Sequence, residues 1–129
     1  MKRLLLDTHA FLWWVEDSPQ LSAAARDMIE ELENECFLSI VSPWEMAVKA
    51  SIGKLKLALP IKDYVPQHLA ANQFMELPIT FQHAARVEYL PLHHRDPFDR
   101  LLAVQALEEE LILISSDSIF DRYGVLRIW

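Results

Sequence analysis

Cysteine and glycine are the scarcest structural signals in this chain, at one and two residues in 129. A single thiol, Cys36, excludes an internal disulfide and fits a reducing compartment, so a cytoplasmic protein is expected. It also removes the paired cysteines that structural zinc requires, and the His residues show no compensating spacing. Two glycines against seven prolines leave little material for flexible linkers, so residues 1–129 are expected to form a single domain. No stretch approaches the ~18 uninterrupted apolar residues of a membrane span. The apolar run near the N-terminus stops at Asp7, too early for a signal peptide. Positive charge is also short: 12 Lys and Arg against 19 Asp and Glu give a net charge of −7. That balance argues against generic nucleic-acid binding through a basic face, and is compatible with a nucleic-acid substrate without suggesting one. Lys49, Lys54, Lys56, Arg95 and Arg100, beside the segments described next, could hold phosphates locally.

Apolar side chains, at 52 % of the sequence, supply a real core at this length and argue against disorder. Arg3–Leu6, Phe37–Val41, Phe74–Ile79, Leu111–Ser115 and Val125–Trp129 read as short strands. Between them, Thr8–Val15, Ser22–Asn34, Lys62–Asn72, a segment from Thr80 to about Tyr89, and Phe98–Glu110 read as helices. Ala24, Met28, Ile29 and Leu32 are expected to face inward from the second of these. Ser42-Pro43-Trp44-Glu45 has the form of a helix start, Ser at N-cap, Pro at N1 and Glu at N3, with the helix ending near Gly53. Ser118–Tyr123 reads as a short helical turn. Alternating strands and helices predict an α/β domain, a three-layer α/β/α sandwich around a mostly parallel sheet. In that class ligands sit beyond the carboxyl ends of the strands.

Four carboxylates recur at that position. Asp7 follows the first strand, Glu45 and Asp99 lie in the first turns of helices, and Asp117 follows Leu111–Ser115. Singly, each could be no more than a helix cap, worth about 0.5–2 kcal/mol. Asp96, one turn before Asp99, is itself an N-cap candidate. Capping does not require the helix starts to converge, whereas a parallel sheet brings all four to one edge. Two unit charges ~4 Å apart at an effective dielectric of ~20 repel by roughly 4 kcal/mol, so such a cluster needs cations or shared protons. Hard divalent cations with oxygen ligands answer that need, and phosphate-ester chemistry is their usual employment.

The segments Leu4-Leu5-Leu6-Asp7-Thr8-His9, Ser42-Pro43-Trp44-Glu45-Met46-Ala47, Asp96-Pro97-Phe98-Asp99-Arg100-Leu101-Leu102-Ala103 and Ser115-Ser116-Asp117 resemble the signature segments of PIN-domain ribonucleases. The resemblance is nearest to the VapC-type toxins of toxin–antitoxin pairs. It covers nearly the whole chain, in the family's order. It implies a Mg²⁺- or Mn²⁺-dependent endoribonuclease whose four acids fall on Asp7, Glu45, Asp99 and Asp117. Asp96 is an accessory acid and rival for the third position, and Thr8 or Ser116 supplies the accompanying hydroxyl. Asp7 and Asp99 are the expected direct metal ligands, with Glu45 and Asp117 holding a second ion or its waters. The resemblance further implies an RNA substrate, a homodimer and a cognate antitoxin whose helix docks on a hydrophobic groove. Adjacent Trp13 and Trp14 cannot both face one core, which places part of that surface near them. His93-His94-Arg95 is open to two readings, a phosphate or leaving-group contact and a solvated loop.

Two other Mg²⁺-binding α/β classes fit less well. A phospho-accepting receiver should carry adjacent acids after its first strand and a lysine after its last. Here the sequence reads Asp7-Thr8-His9 and Arg127-Ile128-Trp129. A haloacid-dehalogenase-type phosphatase needs Asp-x-Asp, and position 9 is His. The non-enzymatic alternative is a PIN-like module that binds RNA or protein without cutting.

Overall fold

The computed structural model describes all 129 residues. Five strands, β1 (Arg3–Leu6), β2 (Glu35–Ser39), β3 (Met75–Leu77), β4 (Ile112–Ile114) and β5 (Arg127–Ile128), form one sheet in the order β3-β2-β1-β4-β5. Every pairing is parallel, so the sheet is wholly rather than mostly parallel. The helices are α1 (Thr8–Val15), α2 (Ala23–Glu30), α3 (Val41–Ser51), α4 (Ile61–Asn72), α5 (Phe81–Arg86) and α6 (Pro97–Glu108). Short 3₁₀ turns cover Val87–Tyr89 and Ser118–Tyr123. The strand order separates this fold from a receiver, whose doubly wound sheet runs 2-1-3-4-5.

Central strands of a parallel sheet are buried on both faces and read as unbroken apolar runs. Leu4, Leu5 and Leu6 are at most 1 % exposed. Because successive side chains alternate, Leu4 and Leu6 join a core with Phe11, Leu38, Met46 and Tyr64. Leu5 joins the opposite core, with Val41, Leu102, Leu113 and Phe120. Helices α1, α2 and α4 cover the first face, α5 and α6 the second. Helix α3 contributes Met46 to one core and Val41 to the other.

Three local expectations are corrected. Helix α3 begins at Val41, so Ser42 lies inside its first turn and forms no capping box with Glu45. The preceding Ser39 does the capping work, its Oγ accepting the Val41 N–H at 3.0 Å. Helix α2 stops at Glu30 and buries Ala25 and Ile29, while Ala24 faces solvent and Leu32 is 96 % exposed beyond the helix end. The strands are also shorter than the apolar runs: Val41 starts a helix, and Val125 and Trp129 lie outside β5. With few glycines available, Asp17, Gln73 and Glu110 take left-handed backbone at turns where glycine would be easier.

Candidate metal-binding active site

The carboxyl ends of β1 and β4, one face of α3 at Glu45 and Lys49, the first turn of α6, and the turn after β4 meet at one edge of the sheet. The cleft there, about 320 Å³, is lined by Asp7, Thr8, His9, Trp13, Glu45, Lys49, Asp96, Asp99, Ser116 and Asp117. All seven acids and hydroxyls singled out in the sequence therefore share one wall-to-wall cavity. Lys56 lies elsewhere, in a separate groove with Leu57 and Leu59.

Each acid owes its position to a local feature. Asp7 is the N-cap of α1, Oδ1 accepting the Ala10 N–H at 2.8 Å. Burial raises its carboxyl above the ordinary range against the pull of Ser115, Ala10 and His9. Asp96 caps α6, accepting from Phe98 N at 2.8 Å and Asp99 N at 3.4 Å. Asp117 caps the following 3₁₀ turn through Ile119 N at 3.0 Å. Asp99, on the third residue of α6, has no capping duty. Burial first, then repulsion from Asp96, pushes its pKa up to about 7, with Glu45 and Asp7 adding and His94 opposing. The cap and cluster readings thus divide: Asp96 is occupied with the helix, whereas Asp99 faces the other acids.

Glu45 is 3 % exposed and doubly held. Thr8 Oγ1 donates to its Oε1 at 2.7 Å, and Lys49 Nζ, one turn along α3, meets its Oε2 at 2.5 Å. Thr8 stands 2.9 Å from Ser42 Oγ. With the Thr8 proton committed to Glu45, Ser42 must be the donor of that second bond. Hydrogen bonding to Glu45 raises the Lys49 pKa, with Asp96 and Asp99 adding. Lys49 is therefore the internal counter-charge of the cleft before it can be a guide for phosphates.

Two residues act differently from their sequence-based expectations. Arg100 is spent on structure, its guanidinium donating to the carbonyls of Pro91 and Leu90 at 3.1 Å, His94 at 3.3 Å and Val87 at 3.4 Å. His94 is not in a solvated loop. Its Nε2 lies 2.8 Å from Asp117 Oδ2 and 3.1 Å from Asp99 Oδ2. The only sequence signal for this was its place two residues before the Asp96 cap. The contact to Asp117 spans 23 positions, which no local pattern encodes.

The donor set fits a hard divalent cation. Carboxylates and hydroxyls predominate, as Mg²⁺ and Mn²⁺ prefer, and no soft sulfur faces the cleft. Burial raises the carboxyls of Asp7 and Asp99, and at Asp99 repulsion from Asp96 adds to it, so a cation would relieve both effects. Lys49 answers only one of the acids. His94, Asp99 and Asp117 each place a potential ligand atom within 4.8 Å of the others.

Comparison with known proteins agrees with this geometry. Residues 4–126 match the PIN domain. Ribonuclease VapC22 of Mycobacterium tuberculosis is 32 % identical over 118 residues, covering 91 % of this chain and 88 % of that one. The fold resembles VapBC2 from Rickettsia felis bound to a promoter DNA fragment, with a TM-score of 0.71 and 15 % identity over 98 % of this chain and 97 % of that one. It also resembles DNA-bound VapBC from Salmonella typhimurium, with a TM-score of 0.69 and 17 % identity over 100 % and 98 %. The chain belongs to the PIN-domain family, as a nuclease domain of the VapC type.

Proposed function

We propose that this chain is a Mg²⁺- or Mn²⁺-dependent endoribonuclease, the toxin of a toxin–antitoxin pair, acting in the cytoplasm. The observation that carries the reading is the gathering of Asp7, Glu45, Asp96, Asp99 and Asp117 in one cleft at the sheet edge. Asp7 and Asp99 would hold the ion directly, since theirs are the carboxyls that burial leaves most in need of a cation. Asp117 and Glu45 would hold a second ion or bound waters. When bound, a divalent cation acidifies water and offsets charge building on the phosphoryl and leaving oxygens.

The chain's own residues do the arranging. Thr8 and Lys49 fix both oxygens of Glu45, so that carboxylate can take a hydrogen from a water in one orientation only. Ser116, exposed at the cleft, offers a hydroxyl to a phosphate oxygen. Hydrolysis forms a bond from a water oxygen to phosphorus and breaks the bond to one ester oxygen. No histidine is required as base.

Partners follow from the surface beside the cleft. A groove of about 410 Å³ between α1 and α3 is lined by Leu12, Trp13, Met46 and Leu55, with Lys49 and Lys54 among its polar residues. It is the surface near Trp13 on which an antitoxin helix would seat. The related solved structures are described as VapBC and FitAB assemblies, and an antitoxin partner for this chain follows from that kinship. A homodimer is proposed as well, on the resemblance to VapC-type toxins alone.

The test is cleavage of mixed RNA by purified protein with Mg²⁺, with Mn²⁺ and with EDTA. Cutting should require the ion and fall at least ~100-fold in both Asp7→Asn and Asp99→Asn, the loss of one metal ligand costing ~3 kcal/mol or more of barrier. Undiminished cutting by either variant would reject the assignment.

A further inference from the structure

We propose that His94 is a built-in placeholder for the cation, and that docking of its imidazole on Asp99 and Asp117 and binding of an ion through the Asp99 carboxylate exclude one another. The inference deepens the metal-dependent reading and rests on it.

The placement of His94 is constructed rather than incidental. The Tyr123 hydroxyl accepts the backbone N–H of His93 at 3.1 Å and of His94 at 2.6 Å. From the other side the Arg100 guanidinium gathers four carbonyls of residues 87–94, including that of His94. The imidazole packs against buried Phe120, with ring centroids 5.9 Å apart. Its tautomer is set as well. The Asp96 backbone N–H points at His94 Nδ1 at 3.2 Å, so Nδ1 accepts and the ring proton belongs on Nε2. Nε2–H then faces the two carboxylate oxygens, Oδ2 of Asp117 and Oδ2 of Asp99.

That tautomer decides what His94 does. A histidine ligating a metal through Nε2 carries its proton on Nδ1 and donates it to an acceptor. Here Nδ1 faces a donor, so His94 is set up as a hydrogen-bond donor to the acids and not as a ligand beside them. In the metal-free chain one N–H joins two carboxylates that would otherwise repel. An ion taking those same oxygens must displace it. His94 thus stabilises the empty site and opposes its filling, which sets the ion affinity of the cleft.

Mn²⁺ and Mg²⁺ binding by calorimetry, melting temperatures in EDTA, and ¹⁵N chemical shifts of the imidazole together test this on the intact chain. The ring should show the Nε2-protonated tautomer without metal and lose its shift signature on saturation with Mg²⁺. His94→Ala should tighten Mn²⁺ and Mg²⁺ alike, by about threefold to tenfold, while lowering the metal-free melting temperature. His94→Gln, which can keep one N–H donor, should fall between. Weaker ion binding in His94→Ala, or an unchanged imidazole signature on saturation, would overturn the inference and leave the metal-dependent reading standing. Absence of binding to wild type would overturn both.

Discussion

Asp96 and Asp99 sit one turn apart at the start of α6, yet their carboxyls serve different needs. Asp96 accepts two backbone N–H groups of the first turn, an arrangement whose loss costs about 1 kcal/mol. Asp99 accepts none of them, and its pKa of about 7 records a charge the folded chain resists. Asp96→Ala should therefore lower the metal-free melting temperature by about 2–5 °C, while Asp99→Asn should leave it unchanged or raise it. Differential scanning calorimetry in EDTA distinguishes them, and a fall for Asp99→Asn would mean that its carboxylate is a structural group. The sequence showed both acids at one helix start and could not rank them, because rank depends on which side chain turns toward Asp7 and Glu45 from other elements. His94 was unreadable for a related reason. Its partners lie in the first turn of a later helix and after β4, and only the closed fold brings them together.

Elements were legible where local and tertiary signals agreed. The β1–α1 unit follows directly from three leucines, a capping Asp7 and an apolar helix behind it. The start of α3 departs from the sequence pattern because proline suits any position in a first turn, where its missing N–H would lack a helical partner. Pro43 is the third helical residue, and Ser39 and Ile40 make the entry. Ser39 carries a second duty that sequence patterns do not reveal. Its Oγ donates to Gln105 Oε1 at 2.5 Å, tying β2 to the middle of α6. Gln105 is fully buried, and its Nε2 reaches the Pro78 carbonyl at 3.2 Å. Gln105→Ala should cost about 2–4 kcal/mol, from the stranded Ser39 and Pro78 groups and the space left behind. Urea unfolding would measure it, and a change below ~0.5 kcal/mol would show that water replaces the amide without penalty. Because α6 carries Asp99, the same lesion should also weaken ion binding.

Across the whole molecule, stability, pH and cation are linked through the cleft. The folded pKa of Asp99, about 7, lies above the ordinary 3.8, so between those values the folded chain keeps a proton that the unfolded chain has released. Stability from this group is present below about 4 and is lost as pH rises through about 7. Buried Asp7 pulls in the same direction. The melting-temperature gap between Asp99→Asn and wild type in EDTA should thus widen from pH 5 to pH 8, and a constant gap would contradict the raised carboxyl. A cation works oppositely, since it binds the ionised acids of the folded chain alone. At a concentration of 100 Kd it adds about 2.7 kcal/mol, and that gain should grow over the same pH range. The overall charge of −7 is consistent with this economy, part of it being concentrated where an ion offsets it.

Anomalous diffraction at the manganese edge from Mn²⁺-soaked crystals tests the central claim most directly. A peak is predicted within coordination distance of both the Asp7 and Asp99 carboxylates, absent from Asp99→Asn crystals soaked alike. A cleft with no peak at saturating Mn²⁺, or manganese held only by acids outside it, would contradict the account.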